Sequence, residues 1–281
     1  MTARQARQAA EAVGYRLRRV NVLGSRLADS IQGWGAAAQP RFKDHQDHRG
    51  WDVYVEHPRQ DTVDEWTYLY SEAIHHLRSS LDNMVWALAE PTLLTPAQQR
   101  NIRFPILSDE RRWHEATKKQ LRSVPEKFMA RVYEAQPFHA APGPETSPLT
   151  GLQDLSNADK HRLRVRAVVS DGSLGINARF TWPGEAFGLQ DSRRPEPVLT
   201  RHDWGPDAPL HHSVRTRDEF LEVAVTPTIE LFAAVDTSAG PIRLTRSLAQ
   251  LQSCVGNTAQ WVTGENVIAL TDDLGDPSSS E

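Results

Sequence analysis

The chain has 281 residues, 39% hydrophobic and 24% charged, with a formal net charge of -4 and an isoelectric point near 6.3. That length buries a sizeable core as one large domain or two modest ones, and the acidic balance excludes a protein that coats nucleic acid through an overall basic surface while leaving room for a local basic pocket. No apolar run approaches the roughly 20 residues that span a bilayer, and the charged "MTARQARQAAEAVGYRLRRV" has no signal-peptide core, so a cytoplasmic protein with no membrane partner is expected.

Residues 3–32 carry Val13, Leu17, Val20, Leu27 and Ile31 at helical spacing with arginines between them, which predicts an amphipathic helix ended by Gly33 and Gly35. "PRFKDHQDHRGWDVYVEHP" follows, with Trp51, Val53 and Val55 alternating against Asp52, Tyr54 and Glu56. This period of two behind a polar turn predicts a β-hairpin at about residues 40–56. The next helix is the most strongly patterned. Thr62 and Glu65 have the spacing of a reciprocal capping box and Pro91 stops the helix after Glu90. Between them Val63, Trp66, Tyr70, Ile74, Leu77, Leu81, Val85 and Leu88 step by three or four.

A short helix opened by "TPAQQ", an extended "IRFPI", and helices over about 109–121 and 125–135 come next. The Pro/Gly-rich "PFHAAPGPETSP" then leads to a helix with Ser147 as N-cap and Pro148 as its first residue. From Leu163 the pattern turns to short segments rich in Val, Leu, Ile and Phe, divided by Gly, Pro and Asp: "RLRVRAVVSD", "SLGINARFTW", "EPVLTRHDW", "EFLEVAVTP" and "TIELFAA". These predict antiparallel strands. A last helix follows Leu244, Leu248, Leu251, Val255 and Val262, and it either covers the sheet or returns to the helices. Its Cys254 is the single cysteine, so an intrachain disulfide is excluded. The expected fold class is α+β: a helical domain over 1–161 with an inserted hairpin, an antiparallel β region with a closing helix over 162–270, and a disordered polar tail over 271–281.

Two polar clusters stand out. In "EAIHHLRSSLDNMVWAL" the residues His75, Arg78 and Asp82 form a stripe at i, i+3 and i+7, roughly 110° round the helix from the apolar face at 100° per residue. That is the shoulder of the core, where side chains are partly desolvated and meet a neighbouring element. A plain reading is an i, i+4 ion pair on a helix flank. In "LSNADKHRLRV", Asp159, Lys160, His161 and Arg162 are consecutive at a helix-to-strand junction. Such a set can transfer a proton and stabilise an anionic oxygen without a metal. It can equally complement a helix C-terminus.

The order "AIHHLRSSLDNMVWAL", "FPI", "LSNADKHR" resembles a family of bacterial and phage proteins in which a helix of type H-x-L-R-S-x-L-D-H precedes an F-P-I segment and a D-K-H-R motif. The resemblance spans about residues 10–170. It implies a shared fold and a shared site at His75, Arg78, Asp82, Asp159, Lys160, His161 and Arg162, and brings no established activity. A more distant resemblance is to the HEPN helical proteins, several of which are ribonucleases of toxin and phage-defence systems. Their arginine is followed after four to six residues by histidine, and here Asn83 stands in that place. Asparagine is no acid or base near neutral pH, so the role would fall to His75 or His161.

The histidine-bearing loops "DHQDH" (His45, His48) and "RHDWGPDAPLHH" (His202, Asp203, His211, His212) match no established metal-ligand spacing, and phosphate-loop, dinucleotide, zinc-protease and serine-hydrolase motifs are absent. Two functions follow. One is a HEPN-like, metal-independent ribonuclease or phosphate-ligand-binding protein, with RNA or another phosphate-bearing ligand as partner, no cofactor, and room for a homodimer. The other is a non-enzymatic interaction module whose polar residues form a structural ion-pair network.

Overall fold

The computed structural model describes residues 3–38, 41–44, 46, 49–55, 57–159, 165–169, 175–181, 198–200, 210–215, 222–228, 231–237 and 240–267. The order of elements is α1 (Ala3–Ala37), β1 (Arg41–Asp44), β2 (Gly50–Val55), α2 (Gln60–Leu88), α3 (Pro96–Gln99), α4 (Trp113–Gln120), α5 (Glu126–Glu134), α6 (Pro148–Asp159), β3 (Val165–Val169), β4 (Gly175–Thr181), β5 (Val198–Thr200), β6 (Leu210–Arg215), β7 (Glu222–Thr228), β8 (Leu231–Thr237), β9 (Gly240–Arg243) and α7 (Leu244–Thr263). The class is α+β. No helix among the described residues is long and apolar enough to cross a membrane.

The chain divides into two compact units, one of Met1–Ala28, Thr67–Arg164 and Leu244–Glu281, the other of Asp29–Trp66 and Val165–Arg243. They are not the consecutive halves that the sequence suggests at 161/162. The hairpin β1–β2 belongs with the strands because β2 pairs along its length with β6, some 160 residues away, with Trp51 opposite Val214 and Val53 opposite His212. The closing helix α7 returns to the helices, packing on α5 and α6.

In the helical unit the long helices run antiparallel. As position rises on α1 from Arg16 to Arg19, its hydrogen-bonded partner on α2 falls from His76 to Glu72. On α7, Gly256 lies against Leu17, Gln252 bonds Asn21, and Leu248 meets Gly24 so closely that an added Cβ would lie 3.3 Å from its Cδ2. The stripes read from the sequence form this core: Val13, Leu17, Val20, Leu27, Leu77, Leu81, Val85, Leu248 and Val255 are all buried. Tyr70 and Ser247 share a buried hydrogen bond of 2.9 Å linking α2 to α7.

Two helix ends differ from expectation. α1 continues through Gly33 and Gly35 to Ala37. The cost of glycine in a helix is about 1 kcal/mol, and tertiary packing offsets it here, since Trp34 meets Trp66 edge-on with ring centroids 5.5 Å apart. α2 begins at Gln60, so Thr62 lies inside the first turn and donates its N–H to Asp61 Oδ1 at 2.8 Å. The capping box forms instead at Thr95 and Gln98, at the start of α3.

In the other unit the strands form sheets of order β1-β2-β6-β5, β3-β8-β9 and β4-β7, every pairing antiparallel. β6 and β9 were not expected from the sequence. His211 and His212, read there as loop residues, sit on β6 opposite Tyr54 and Val53. Among the described residues no group of three histidine, cysteine, aspartate or glutamate side chains is placed to hold a metal ion. His45, His48, His202, Asp203 and the tail 271–281 lie outside the described residues.

Candidate functional site

The stripe on α2 is held at the shoulder of the core because Leu77, Leu81 and Val85 beside it are fully buried. Arg78 and Asp82, one turn apart, face the irregular segment that contains "FPI". Arg78 Nη2 donates to Phe104 O at 2.8 Å, the Phe104 N–H donates to Asp82 Oδ1 at 2.9 Å, and Arg78 Nη2 lies 3.2 Å from the same carboxylate oxygen. The pair thus satisfies both backbone polar groups of Phe104, whose side chain is fully buried.

The reason is local. The segment joins no strand, Pro105 has no N–H to give, and buried backbone groups must find partners. Two flanking groups are met as well: the Arg103 N–H donates to the Gln120 carbonyl and the Leu107 N–H to Gln136 Oε1 at 3.0 Å. Burial raises the Asp82 carboxyl above its ordinary value, opposed by Arg78 and by the Phe104 N–H. Burial also lowers Arg78, against the pull of Asp82. The guanidinium nonetheless stays charged near neutral pH.

The same pair forms one wall of a cleft of about 450 Å³. Arg103, Phe104, Ile106 and Leu107 of the irregular segment line it, with Arg112 of a 3₁₀ turn, Gln120 at the end of α4, and Gln153, Ser156 and Asn157 of α6. Three arginines therefore face one carboxylate. Arg78 Nη1 and Gln120 Oε1 are buried, and neither has a hydrogen-bond partner among the described residues. A buried unmatched donor on a guanidinium is costly, and a polar, open cleft is where an incoming acceptor would match it.

Protein-family models, curated proteins and solved structures were compared with the chain, and none matches it.

The cleft gathers some of the residues expected from the sequence. Arg78 and Asp82 line it. His75 does not; it is exposed, with Nε2 3.4 Å from Ser79 Oγ. Asn83 is half-buried and also does not line the cleft. Asp159 ends α6, two residues beyond the lining Asn157, and its side chain lies outside the description, as do Lys160, His161 and Arg162. Arg103, Arg112, Gln120 and Gln153 were not expected at the site. The signal for Arg103 was its place directly before "FPI".

His76 takes part in a separate cluster. Arg16 Nη1 donates to its Nδ1 at 3.0 Å and Glu72 lies 3.6 Å from its Nε2, while Arg19 donates to Glu72 at 2.8 Å. The Arg19 hydrogen bond lowers Glu72, and burial followed by the Arg16 charge lowers His76. This cluster joins α1 to α2 and is structural.

Proposed function

We propose that the protein binds a phosphate-bearing ligand in the cleft, with Arg78, Arg103 and Arg112 as its anion-holding groups. The observation that carries this reading is Arg78 Nη1, without a partner among the described residues, in a cleft whose described lining adds two further arginines and one carboxylate. Hydrogen bonds from guanidinium groups to phosphate are among the strong, charge-assisted kind, and the fork geometry suits a tetrahedral oxyanion. RNA is the expected polymeric source of such a group, and a HEPN-like helical arrangement is part of the same proposal.

A catalytic form of the reading is favoured by one observation: Ser156 and Asn157 line the cleft immediately before the "ADKHR" run. Metal-free cleavage of RNA would need a proton-transfer group, and with His75 turned to Ser79 that role falls to His161. Lys160 and Arg162 would then hold developing charge, with Asp159 orienting the histidine.

The test is equilibrium binding of inorganic phosphate and of a short single-stranded RNA to the full chain at low salt. Arg103 and Arg112 are exposed, so Arg103→Gln with Arg112→Gln should leave melting unchanged and weaken both ligands by roughly tenfold or more. Affinity should also fall with added salt. A wild-type chain that binds neither ligand refutes the proposal. His161→Ala separates the catalytic form: it should abolish RNA cleavage while binding remains.

A further inference from the structure

The cleft holds a second unmatched group, and it is of the opposite kind. Gln120 Oε1 is a buried acceptor without a donor among the described residues. A phosphodiester or a dianionic phosphate ester offers only acceptors to it, so a ligand that answers Arg78 alone leaves Gln120 unmatched at the usual penalty of a desolvated polar group. A ligand that answers both carries an anionic oxygen and, a short distance away, an N–H or O–H donor. There is room for such a ligand, since about 450 Å³ falls within the range of small-molecule sites, about 300 to 1,000 Å³. Beside it lies a smaller hollow of about 180 Å³, and the two share Arg103, Leu107, Arg112 and Gln120 as walls. The arginines and the glutamine therefore stand at the junction of two adjoining spaces.

We infer that the cleft takes a nucleotide: the phosphate on Arg78, Arg103 and Arg112, and the donor edge of the base on Gln120 Oε1. Every nucleobase carries at least one N–H donor on its Watson–Crick edge, and glutamine amides read bases through such contacts. The inference rests on the phosphate-binding reading and adds a class of ligand to it. No bond is made or broken in the binding step.

The experiment is isothermal titration calorimetry on the full chain with inorganic phosphate, ribose 5-phosphate and each of the four ribonucleoside 5′-monophosphates. At least one nucleotide should bind about tenfold more tightly than both inorganic phosphate and ribose 5-phosphate. Gln120→Met should bring that nucleotide down to the level of ribose 5-phosphate, with a melting temperature no lower than that of the wild type. The wild-type panel tests the base contact against the sugar hydroxyls even if the variant folds poorly. Nucleotides binding no better than ribose 5-phosphate, or a well-folded Gln120→Met that keeps full nucleotide affinity, overturns the inference while leaving phosphate binding intact. If inorganic phosphate and the nucleotides all fail to bind, the phosphate-binding reading fails, and the nucleotide inference falls with it.

Discussion

Replacing Asp82 with alanine removes the one oxygen that both accepts the Phe104 N–H at 2.9 Å and stands 3.2 Å from Arg78 Nη2. Two groups are then stranded. Orphaning a buried backbone N–H costs about 1–3 kcal/mol, and removing one member of a fully buried ion pair costs about 3–5 kcal/mol. The Arg78 and Asp82 side chains keep 15% and 33% of their exposure, so water relieves part of both losses and they overlap at one oxygen. The expected destabilisation is therefore about 2 kcal/mol, below the range for a fully buried pair and within that for an orphaned backbone N–H. For a domain of about 150–250 residues that lowers the melting temperature by about 4–8 °C.

Urea denaturation followed by helical circular dichroism measures this loss, and amide hydrogen exchange at Phe104 reports where it arises. The double variant Arg78→Met with Asp82→Leu gives the sharper sign. It removes the guanidinium but leaves the Phe104 carbonyl as well as its N–H without a partner, so the two changes should cost more than Asp82→Ala alone. A loss under about 0.5 kcal/mol for Asp82→Ala, the size of an exposed helix pair, with unchanged exchange at Phe104, would refute the clamp.

Gln136 performs the analogous task for Leu107: it is buried, accepts the Leu107 N–H at 3.0 Å and donates to the Val132 carbonyl at 2.9 Å. Gln136→Leu should cost about 1–3 kcal/mol, read as a lower urea midpoint, and Gln136→Glu should recover only part of it because the carboxylate cannot donate to Val132. For His76, burial first and Arg16 second hold the folded-state value below its ordinary 6.5. The unfolded chain therefore takes up a proton before the native one does as pH falls through that value. The stabilising contribution of neutral His76 is complete above it and is lost toward lower pH. His76→Gln should flatten the decline of stability between about pH 7 and 5, and a variant whose pH profile still matches the wild type removes His76 as the cause.

Legibility followed the range of the forces involved. Helical periodicity is a local signal, and it marked the buried faces of α1, α2 and α7 residue by residue, with Trp66, Leu77, Leu81 and Val255 all inside. It also put Arg78 and Asp82 at the shoulder, where they are found. Capping is weaker: Thr62 with Glu65 and Thr95 with Gln98 have the same spacing, and only Thr95 lies at a helix start, because α2 gains an earlier turn through Asp61. β6 was hidden because "LHHSVR" has no clear alternation and acquires its strand geometry from β2, far away in the chain. Arg103, Arg112 and Gln120 were hidden for a similar reason. Each reads as an ordinary polar residue until the clamp on Phe104 and the Arg103 N–H bond to the Gln120 carbonyl bring their segments together.

The sequence posed an ion-pair seam and an open reactive cleft as rival readings, but the two are not exclusive at Arg78. Its Nη2 is committed to structure, bonded to Phe104 and beside Asp82, whereas its Nη1 has no partner among the described residues. One planar cation can serve both because its donors are fixed in a fork and point in different directions. The structural bonds also lock the guanidinium before a ligand arrives, which removes the rotamer entropy that binding would otherwise cost. A truncation at Arg78 would disturb fold and ligand together, and its effect on function could not be assigned to either. Arg103 and Arg112 line the same cleft from exposed positions. They are the residues at which affinity can change while the clamp stays whole.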